Sequence, residues 1–276
     1  MSNKKDSLGD RMKEYYENRA KTYLNRRTPV VIRLDGKAFH SFTKKFEKPY
    51  DTVMHSAMNL TLKYLCENIQ GCRLGYTQSD EITLFLSDYT KLGTDAWFDY
   101  SVQKVCSVSA SMATLAFNKF FEQAVNVWLK KNSAIGNDGK MVFYSSRLLN
   151  LYEAYVEAMN KGAMFDSRCF NIPEDECCNC AIWRQQDAER NSIQMLGQYH
   201  FSSKQLHKKK CKDIIEMLKM EKEVDYYDMP PSFRIGVCCK KISSEDGKSA
   251  WELDYDIPLF SVDRDYVNKE VYYRED

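Results

Sequence analysis

Two aspartates in the sequence could together hold metal ions. Asp35 follows the β-branched apolar run 30–34, and Asp80 lies between two further short apolar runs. Carboxylate oxygens on rigid strands, with positions left open for phosphate oxygens, suit Mg²⁺. Two such ions about 3.5–4 Å apart can align an attacking oxygen and neutralise a leaving pyrophosphate, and the carbonyl of Gly36 could be a further ligand. Alternatively, Asp35 only begins a turn and Asp80 only caps a hairpin, and their spacing leaves both interpretations open.

The elements that would bring the two aspartates together are predicted from hydrophobic periodicity. The order is strand, helix, hairpin, helix, strand, which is the β-α-β-β-α-β arrangement of ferredoxin-like domains. This α/β (α+β) fold is an antiparallel sheet with helices on one face, and its first strand borders the hairpin, so Asp35 and Asp80 are expected at one edge of the sheet. The predicted strands are 30–34, 72–77, 81–86 and 168–172, and the predicted helices between them are 49–70 and 94–131.

Mainly helices are predicted for the rest of the chain. Two more are expected over about 148–160 and 173–196, and the C-terminal third combines a helix with strands. We therefore predict a catalytic domain over 1–196, with an N-terminal helix, and a smaller helical and strand region over 197–276 packed on it.

Composition and charge exclude several classes of protein. Forty basic residues stand against 39 acidic ones, so a histone-like binder is not expected, although a local basic groove is compatible with this balance. A content of 43% hydrophobic residues argues against collagen and disorder. The first residues are charged, with no apolar leader, and the longest uncharged stretch, 105–118, is too short to span a bilayer. We expect a cytoplasmic protein without a membrane segment.

The ten cysteines include one dense group, in which Cys177 and Cys180 form a C-x-x-C pair. A zinc site would need a second pair, and the downstream histidines, His200 and His207, are seven residues apart, outside the usual spacing. Buried or surface thiols along a helix are the favoured interpretation over zinc.

Four segments of the sequence carry motifs that are long enough to be specific. They are RLDGKAFHSFTKKFEKPYD at 33–51, GYTQSDEITLFL at 75–86, FDSR at 165–168 and WRQQDAERNSI at 183–193. These segments resemble the tRNA-histidine guanylyltransferase superfamily of 3′–5′ nucleotide-adding polymerases, and the resemblance extends from residue 5 to about residue 240.

The resemblance implies a palm-like nucleotidyltransferase that uses two Mg²⁺ ions, with ATP and GTP or other nucleoside triphosphates as substrates. It places the metals on Asp35, the Gly36 carbonyl and Asp80, and a triphosphate contact on Lys48, so that Asp35, Asp80 and Lys48 are the catalytic residues. Without the resemblance, Lys48 would be interpreted as a solvated lysine. The implied nucleotide-binding set is Asp35, Gly36, Lys37, Ala38, Phe39, His40, Lys48, Ser79 and Asp80.

Contacts to RNA are expected from basic and polar side chains outside this set. Each neutralised phosphate would add salt-dependent affinity without reading sequence. A solvated charged surface is the alternative for each of these positions. The candidates are Arg27, Lys104, Arg184, Asn191, Lys208, Lys209 and Lys210.

The segment 189–195 bears on which tRNA is used. Enzymes dedicated to histidine tRNA carry His-Ile-Asn-Asn-Leu-Tyr-Asn there, whereas this chain retains only the first asparagine, Asn191. The sequence thus resembles the guanylyltransferase-like branch of bacteria and archaea, which implies template-dependent repair of tRNA 5′ ends by a homotetramer bound to the acceptor stem. The alternatives are a guanylyltransferase specific for histidine tRNA, an RNA-binding palm protein without catalysis, and a nucleotide cyclase, which would share the metal pair but would not account for the K-P and W-R-Q-Q-D motifs. The stretch 122–164 is longer than the resemblance leads us to expect.

Overall fold

The computed structural model describes residues 7–136, 138, 140–243 and 248–272. The strands are β1 (Val30–Gly36), β2 (Cys72–Gln78), β3 (Glu81–Leu86), β4 (Ser133–Ile135), β5 (Met141–Phe143), β6 (Phe165–Asn171), β7 (Val237–Ser243) and β8 (Ser249–Asp254). The helices are α1 (Ser7–Tyr15), α2 (Phe39–Phe42), α3 (Thr52–Asn68), α4 (Val102–Asn132), α5 (Ser146–Lys161), α6 (Cys177–His200), α7 (Ser203–Leu206), α8 (Cys211–Lys222), α9 (Pro231–Arg234) and α10 (Asp265–Val271).

Six strands form one antiparallel sheet in the order β6-β1-β3-β2-β7-β8. Strands β1, β2, β3 and β6 with helices α3 and α4 complete the β-α-β-β-α-β unit, so the predicted fold class is confirmed. The largest core cluster lies between this sheet and the two helices, and Ile32, Leu34 and Leu84 are fully buried in it. Because side chains alternate along each strand, these residues all point to the face of the sheet that α3 and α4 cover.

Helices α6 and α10 cover the opposite face of the sheet. Val31 and Phe85 point to that face and pack in a second cluster with Ala181 of α6 and Val267 of α10. Every residue of β3 is buried as a result. The predicted alternation along β3 therefore separates two buried faces.

The main difference from the predicted boundaries concerns α4, which begins at Val102, later than the expected residue 94. Phe98, Asp99 and Tyr100 have φ angles of 52°, 51° and 54°, in the left-handed region that an α-helix excludes. A short 3₁₀ turn, Trp97–Tyr100, occupies this position. Periodicity alone did not reveal the break, because the apolar stripe continues through it.

The C-terminal region adds two strands to the same sheet. β7 pairs with β2 from Leu74 opposite Lys240 to Thr77 opposite Val237, and β8 pairs with β7. Helix α8 packs on α6 through Ile214 and Leu218. The division at residue 197 stays a prediction, and the sheet continues across it.

The stretch 122–164 comprises the last turns of α4, the β4–β5 hairpin and α5. Tyr155 of α5 is buried, with its ring centroid 5.1 Å from that of Phe46 and 5.3 Å from that of Trp128. The stretch is thus anchored in the main core.

The dense cysteine group lies in the interior. Cys177 and Cys180 belong to the second cluster, and burial raises the pKa of Cys177 to about 12 and that of Cys180 to about 11. They are free thiols, as favoured from the sequence. Among the described residues, no helix has the length and apolar character needed to cross a membrane.

Candidate active site at the hairpin end of the central strands

The structure brings Asp35 and Asp80 to one edge of the sheet. Asp35 lies opposite Glu81 of β3 on one side and opposite Asp166 of β6 on the other. The backbone N–H of Gly36 donates a hydrogen bond to the carbonyl of Asp80 over 3.1 Å. The end of β1 and the tip of the β2–β3 hairpin are therefore held together directly.

Asp80 is the second residue of the two-residue turn between β2 and β3. The first, Ser79, has a φ of 50°, a conformation that tight hairpin turns require. Its hydroxyl donates a hydrogen bond to Asp80 Oδ1 over 3.0 Å, and the Thr77 hydroxyl bonds to the Glu81 carbonyl over 2.8 Å. These bonds fix the backbone on both sides of the Asp80 carboxylate.

The electrostatics of this edge favour a bound cation. Burial raises the pKa of Asp80, the charge of Asp35 raises it further, and the hydrogen bond from Ser79 opposes both effects. A cation between the two carboxylates would favour their charged forms. Within the described ranges, no three His, Cys, Asp or Glu side chains converge as a metal site. Asp35 and Asp80 fit a site that a backbone carbonyl and ligand phosphates complete, which is how Mg²⁺ is commonly bound.

The backbone after Asp35 turns tightly around the ring of Phe39. A Cβ atom on Gly36 would lie 2.3 Å from Phe39 Cδ2, so a larger residue does not fit there. Ala38 has a φ of 56° and precedes α2, and the Lys37 N–H bonds to the Met164 carbonyl over 2.8 Å. Lys37 and His40 are left exposed beside the carboxylates.

A cleft with a volume of about 640 Å³ borders the hairpin tip. Five of the predicted nucleotide residues line it, and the other four, Asp35, Gly36, Lys37 and Ala38, do not. The five are Phe39, His40, Lys48, Ser79 and Asp80. Another wall is formed by α6 and α9, and of its residues only Asn191 was singled out from the sequence. Residues of the cleft that sequence reasoning missed include Tyr50, Asp51, Gln194, Gln198, Tyr199 and Phe233.

Asp51 organises the loop that carries Lys48. Its carboxylate accepts hydrogen bonds from the N–H of Met54 at 2.8 Å and the N–H of Glu47 at 3.0 Å. The hydroxyl of Tyr155 donates a third bond over 2.7 Å. Asp51 is the N-cap of α3, and its position just before an apolar helical pattern was the sequence signal that could have identified it.

The prediction that Arg184 contacts RNA is corrected by the structure. The guanidinium is buried and bonds to Glu81 Oε2 over 2.9 Å, with Asp187 Oδ2 at 3.5 Å. It also stacks 3.4 Å from the ring centroid of Trp183. Burial raises the pKa of Glu81, and Arg184 and Arg33 oppose that effect. The Arg184–Glu81 pair thus connects α6 to the hairpin, and the Glu81 side chain, next in sequence to Asp80, faces Arg184.

The remaining RNA candidates lie in three separate places. Asn191 lines the cleft, and Lys208, Lys209 and Lys210 are exposed between α7 and α8. Arg27 precedes β1, at the end remote from Asp35, and bonds to the Leu92 carbonyl over 2.7 Å. Lys104 lies at the start of α4, near that remote end, because its ammonium is 5.8 Å from the ring centroid of Phe98, and the next residue, Asp99, bonds to Arg26. The structure does not bring Arg27 or Lys104 to the cleft of this chain.

Comparisons with known proteins give a consistent result. The family model described as Thg1, tRNAHis guanylyltransferase, matches residues 9–173. A bacterial tRNA(His) guanylyltransferase (Thg1)-like protein solved in complex with ATP is 38% identical, with a TM-score of 0.79 over 97% of this chain and 100% of that one. The corresponding complex with GTP is 36% identical, with a TM-score of 0.75 and the same coverage.

Two curated relatives match over most of this chain. An uncharacterised protein, R259, of Acanthamoeba polyphaga mimivirus is 29% identical over 248 residues, which are 86% of this chain and 77% of the relative. The tRNA(His) guanylyltransferase of Saccharomyces cerevisiae is 27% identical over 225 residues, or 75% of this chain and 80% of the yeast protein.

Proposed function

The chain belongs to the tRNAHis guanylyltransferase (Thg1) family of nucleotidyltransferases, and we propose that it adds nucleotides to tRNA 5′ ends in the 3′–5′ direction, directed by the opposing strand. The observation that carries the proposal is the Asp35–Asp80 pair at the edge of a cleft that Lys48 and Ser79 also line. Nucleotide binding by this chain is supported by the ATP and GTP complexes of the bacterial relative.

The proposed reaction has two phosphoryl-transfer steps. An oxygen of the RNA 5′-monophosphate attacks the α-phosphorus of ATP, and pyrophosphate leaves. The 3′-hydroxyl of the incoming nucleoside triphosphate then attacks the activated 5′-phosphorus, and AMP leaves. Both steps depend on positioning and charge neutralisation, and no covalent nucleophile of the protein is required.

The residues have separate roles in this scheme. Asp35, Asp80 and the Gly36 carbonyl would hold Mg²⁺, which supplies neutralisation of phosphate charge. The exposed ammonium group of Lys48 pairs with triphosphate oxygens, for which a mobile point charge is well suited. The turn Ser79-Asp80 keeps the second carboxylate at the end of β1, and the loop around Phe39 borders the cleft.

The choice between tRNA repair and a dedicated histidine-tRNA activity rests on α6. Residues 189–195 lie on this helix, and Asn191, Gln194 and Met195 line the cleft. The segment lacks most of the signature of the histidine-specific enzymes, which supports base choice by pairing. With this function we also propose binding of the acceptor stem, a homotetrameric state and a cytoplasmic location.

Product analysis tests the proposal. The purified protein is incubated with Mg²⁺, ATP, GTP and a 5′-monophosphorylated tRNA that lacks its first nucleotide. We expect an RNA longer by one nucleotide, and no such product from the Asp80→Ala variant. Bound but unextended RNA would instead identify a palm protein without catalysis, and a cyclic nucleotide would identify a cyclase.

A further inference from the structure

The C-terminal half of α6 presents three amide side chains to the cleft. Asn191, Gln194 and Gln198 line it, and their spacing of three and four residues places them on one side of the helix. In the part of the chain that the structure describes, these amides have no hydrogen-bond partner. Their donors and acceptors are therefore available to a ligand.

The opposite side of this half-helix is packed tightly, which fixes the direction of the amides. Ile193 and Leu196 are buried against Ile214 and Leu218 of α8. A Cβ atom on Gly197 would lie 2.8 Å from Ile214 Cγ2, so the two helices are in close contact. Rotation of α6 that turned the amides away from the cleft would break this packing.

The chemistry of this surface matches a nucleobase better than a phosphate. Amides are neutral and both donate and accept, as base edges and 2′-hydroxyls do, whereas phosphates are matched by cations. Tyr199 lines the same cleft and is 55% exposed, so its ring is accessible for stacking. Unpaired RNA bases are typically recognised by this combination of aromatic stacking and edge hydrogen bonds.

We infer that Gln194, Gln198 and Tyr199 bind an unpaired RNA base next to the reacting 5′ end. The inference rests on the proposed function, because it assigns the other side of the cleft, with Lys48, to the nucleoside triphosphate. The cations Lys208, Lys209 and Lys210 follow shortly after the end of α6 and are exposed, which suits the phosphates of the same RNA. The α6 surface is thus the RNA side of the cleft.

A fluorescent RNA tests this assignment. The probe is an acceptor-stem hairpin that lacks its first 5′ nucleotide and carries 2-aminopurine at the unpaired opposing position. Wild type should change the 2-aminopurine emission on binding. Tyr199→Ala should weaken RNA binding about tenfold or more and lose the emission change, since base stacking is typically worth that much. Tyr199→Phe should retain both. The double variant Gln194→Ala/Gln198→Ala removes two hydrogen bonds to the base edge and should weaken RNA binding about tenfold.

Matched controls distinguish loss of this RNA contact from a general loss of folding or binding. Gln123→Ala and Tyr144→Ala change exposed residues outside the cleft and should bind the probe like wild type. ATP binding without RNA should stay within twofold of wild type in all variants. Unchanged RNA binding in the α6 variants, or a loss of ATP binding instead, would overturn the inference. If wild type shows the emission change but extends no RNA, the proposed function fails and the RNA surface stands.

Discussion

At the scale of single residues, the site depends on two carboxylates in different surroundings. Asp35 ends a central strand, whereas Asp80 lies in a two-residue turn where burial and the charge of Asp35 both raise its pKa. A bound cation would lower the pKa of Asp80 again and so favour its charged form. Lys48, on the loop that Asp51 orders, adds a mobile cation at the same cleft.

Asp80→Ala should abolish nucleotide addition while leaving the fold intact. Metal coordination contributes several kcal/mol to the transition state, so the single-turnover rate should fall by at least ~10³. Asp138→Asn, at an exposed carboxylate of the β4–β5 hairpin, is the control and should keep the wild-type rate. A folded Asp80→Ala protein with a tenth of normal activity would refute the two-metal assignment.

Lys48→Ala should impair use of the triphosphate more than binding of RNA. The loss of one charge-assisted contact should lower the single-turnover rate or the triphosphate affinity by about 10- to 100-fold. The comparison uses 5′-monophosphate and preactivated 5′-triphosphate RNA, with Lys44→Ala as a nearby exposed control. A pure loss of RNA affinity, with the saturated rate unchanged, would make Lys48 an RNA contact instead.

At the scale of elements, the hairpin is held from two directions. The end of β1 bonds to the turn through the Gly36 N–H, and α6 bonds to it through the Arg184–Glu81 pair. Helix α6 also forms a wall of the cleft. The buried pair therefore fixes this wall relative to the turn that carries Asp80.

Arg184→Met should destabilise the protein by about 3 kcal/mol, because it leaves the carboxylate of Glu81 buried without its main partner. Urea unfolding measures the change. Removing both charges in Glu81→Gln/Arg184→Gln should recover most of the stability, since breaking a buried pair costs more than replacing it. Equal unfolding midpoints for Arg184→Met and wild type would show that the pair contributes nothing.

The elements of the palm unit could be predicted because their signals are local. Three signals were sufficient to place both carboxylates at one edge of the sheet. They are the apolar run of β1, the short connection between β2 and β3, and the resemblance around Asp35. The buried state of Arg184 could not be predicted, because it depends on α6 crossing the face that holds Glu81. The amide side of α6 was also missed, since helical periodicity does not say which polar side meets a cleft.

At the scale of the whole molecule, the central strands of the sheet are buried on both faces, and the long 122–164 stretch is part of the structure around the cleft. Its Tyr155 reaches from α5 through the aromatic core to Asp51, which caps α3 and orders the Lys48 loop. The stretch thus supports a loop of the site through the bond from Tyr155 to Asp51.

Tyr155→Phe should lower the free energy of unfolding by about 1–2 kcal/mol, since it removes one hydrogen bond to a carboxylate. Loosening of the Lys48 loop should raise the KM for the triphosphate more than it lowers kcat. Tyr152→Phe, on the same helix, is the control, since its hydroxyl has no hydrogen bond among the described residues. Identical KM values for both variants would show that the 122–164 stretch does not support the Lys48 loop.

The central claim is that the opposing strand chooses the added nucleotide. The most direct test uses several tRNAs shortened by one 5′ nucleotide, with the opposing base varied through all four and each triphosphate supplied in turn. If the incoming base is chosen by pairing with the opposing nucleotide, addition should follow the pairing rule on tRNAs of different anticodons. Guanosine added whatever the opposing base, or activity confined to histidine tRNA, would contradict the account.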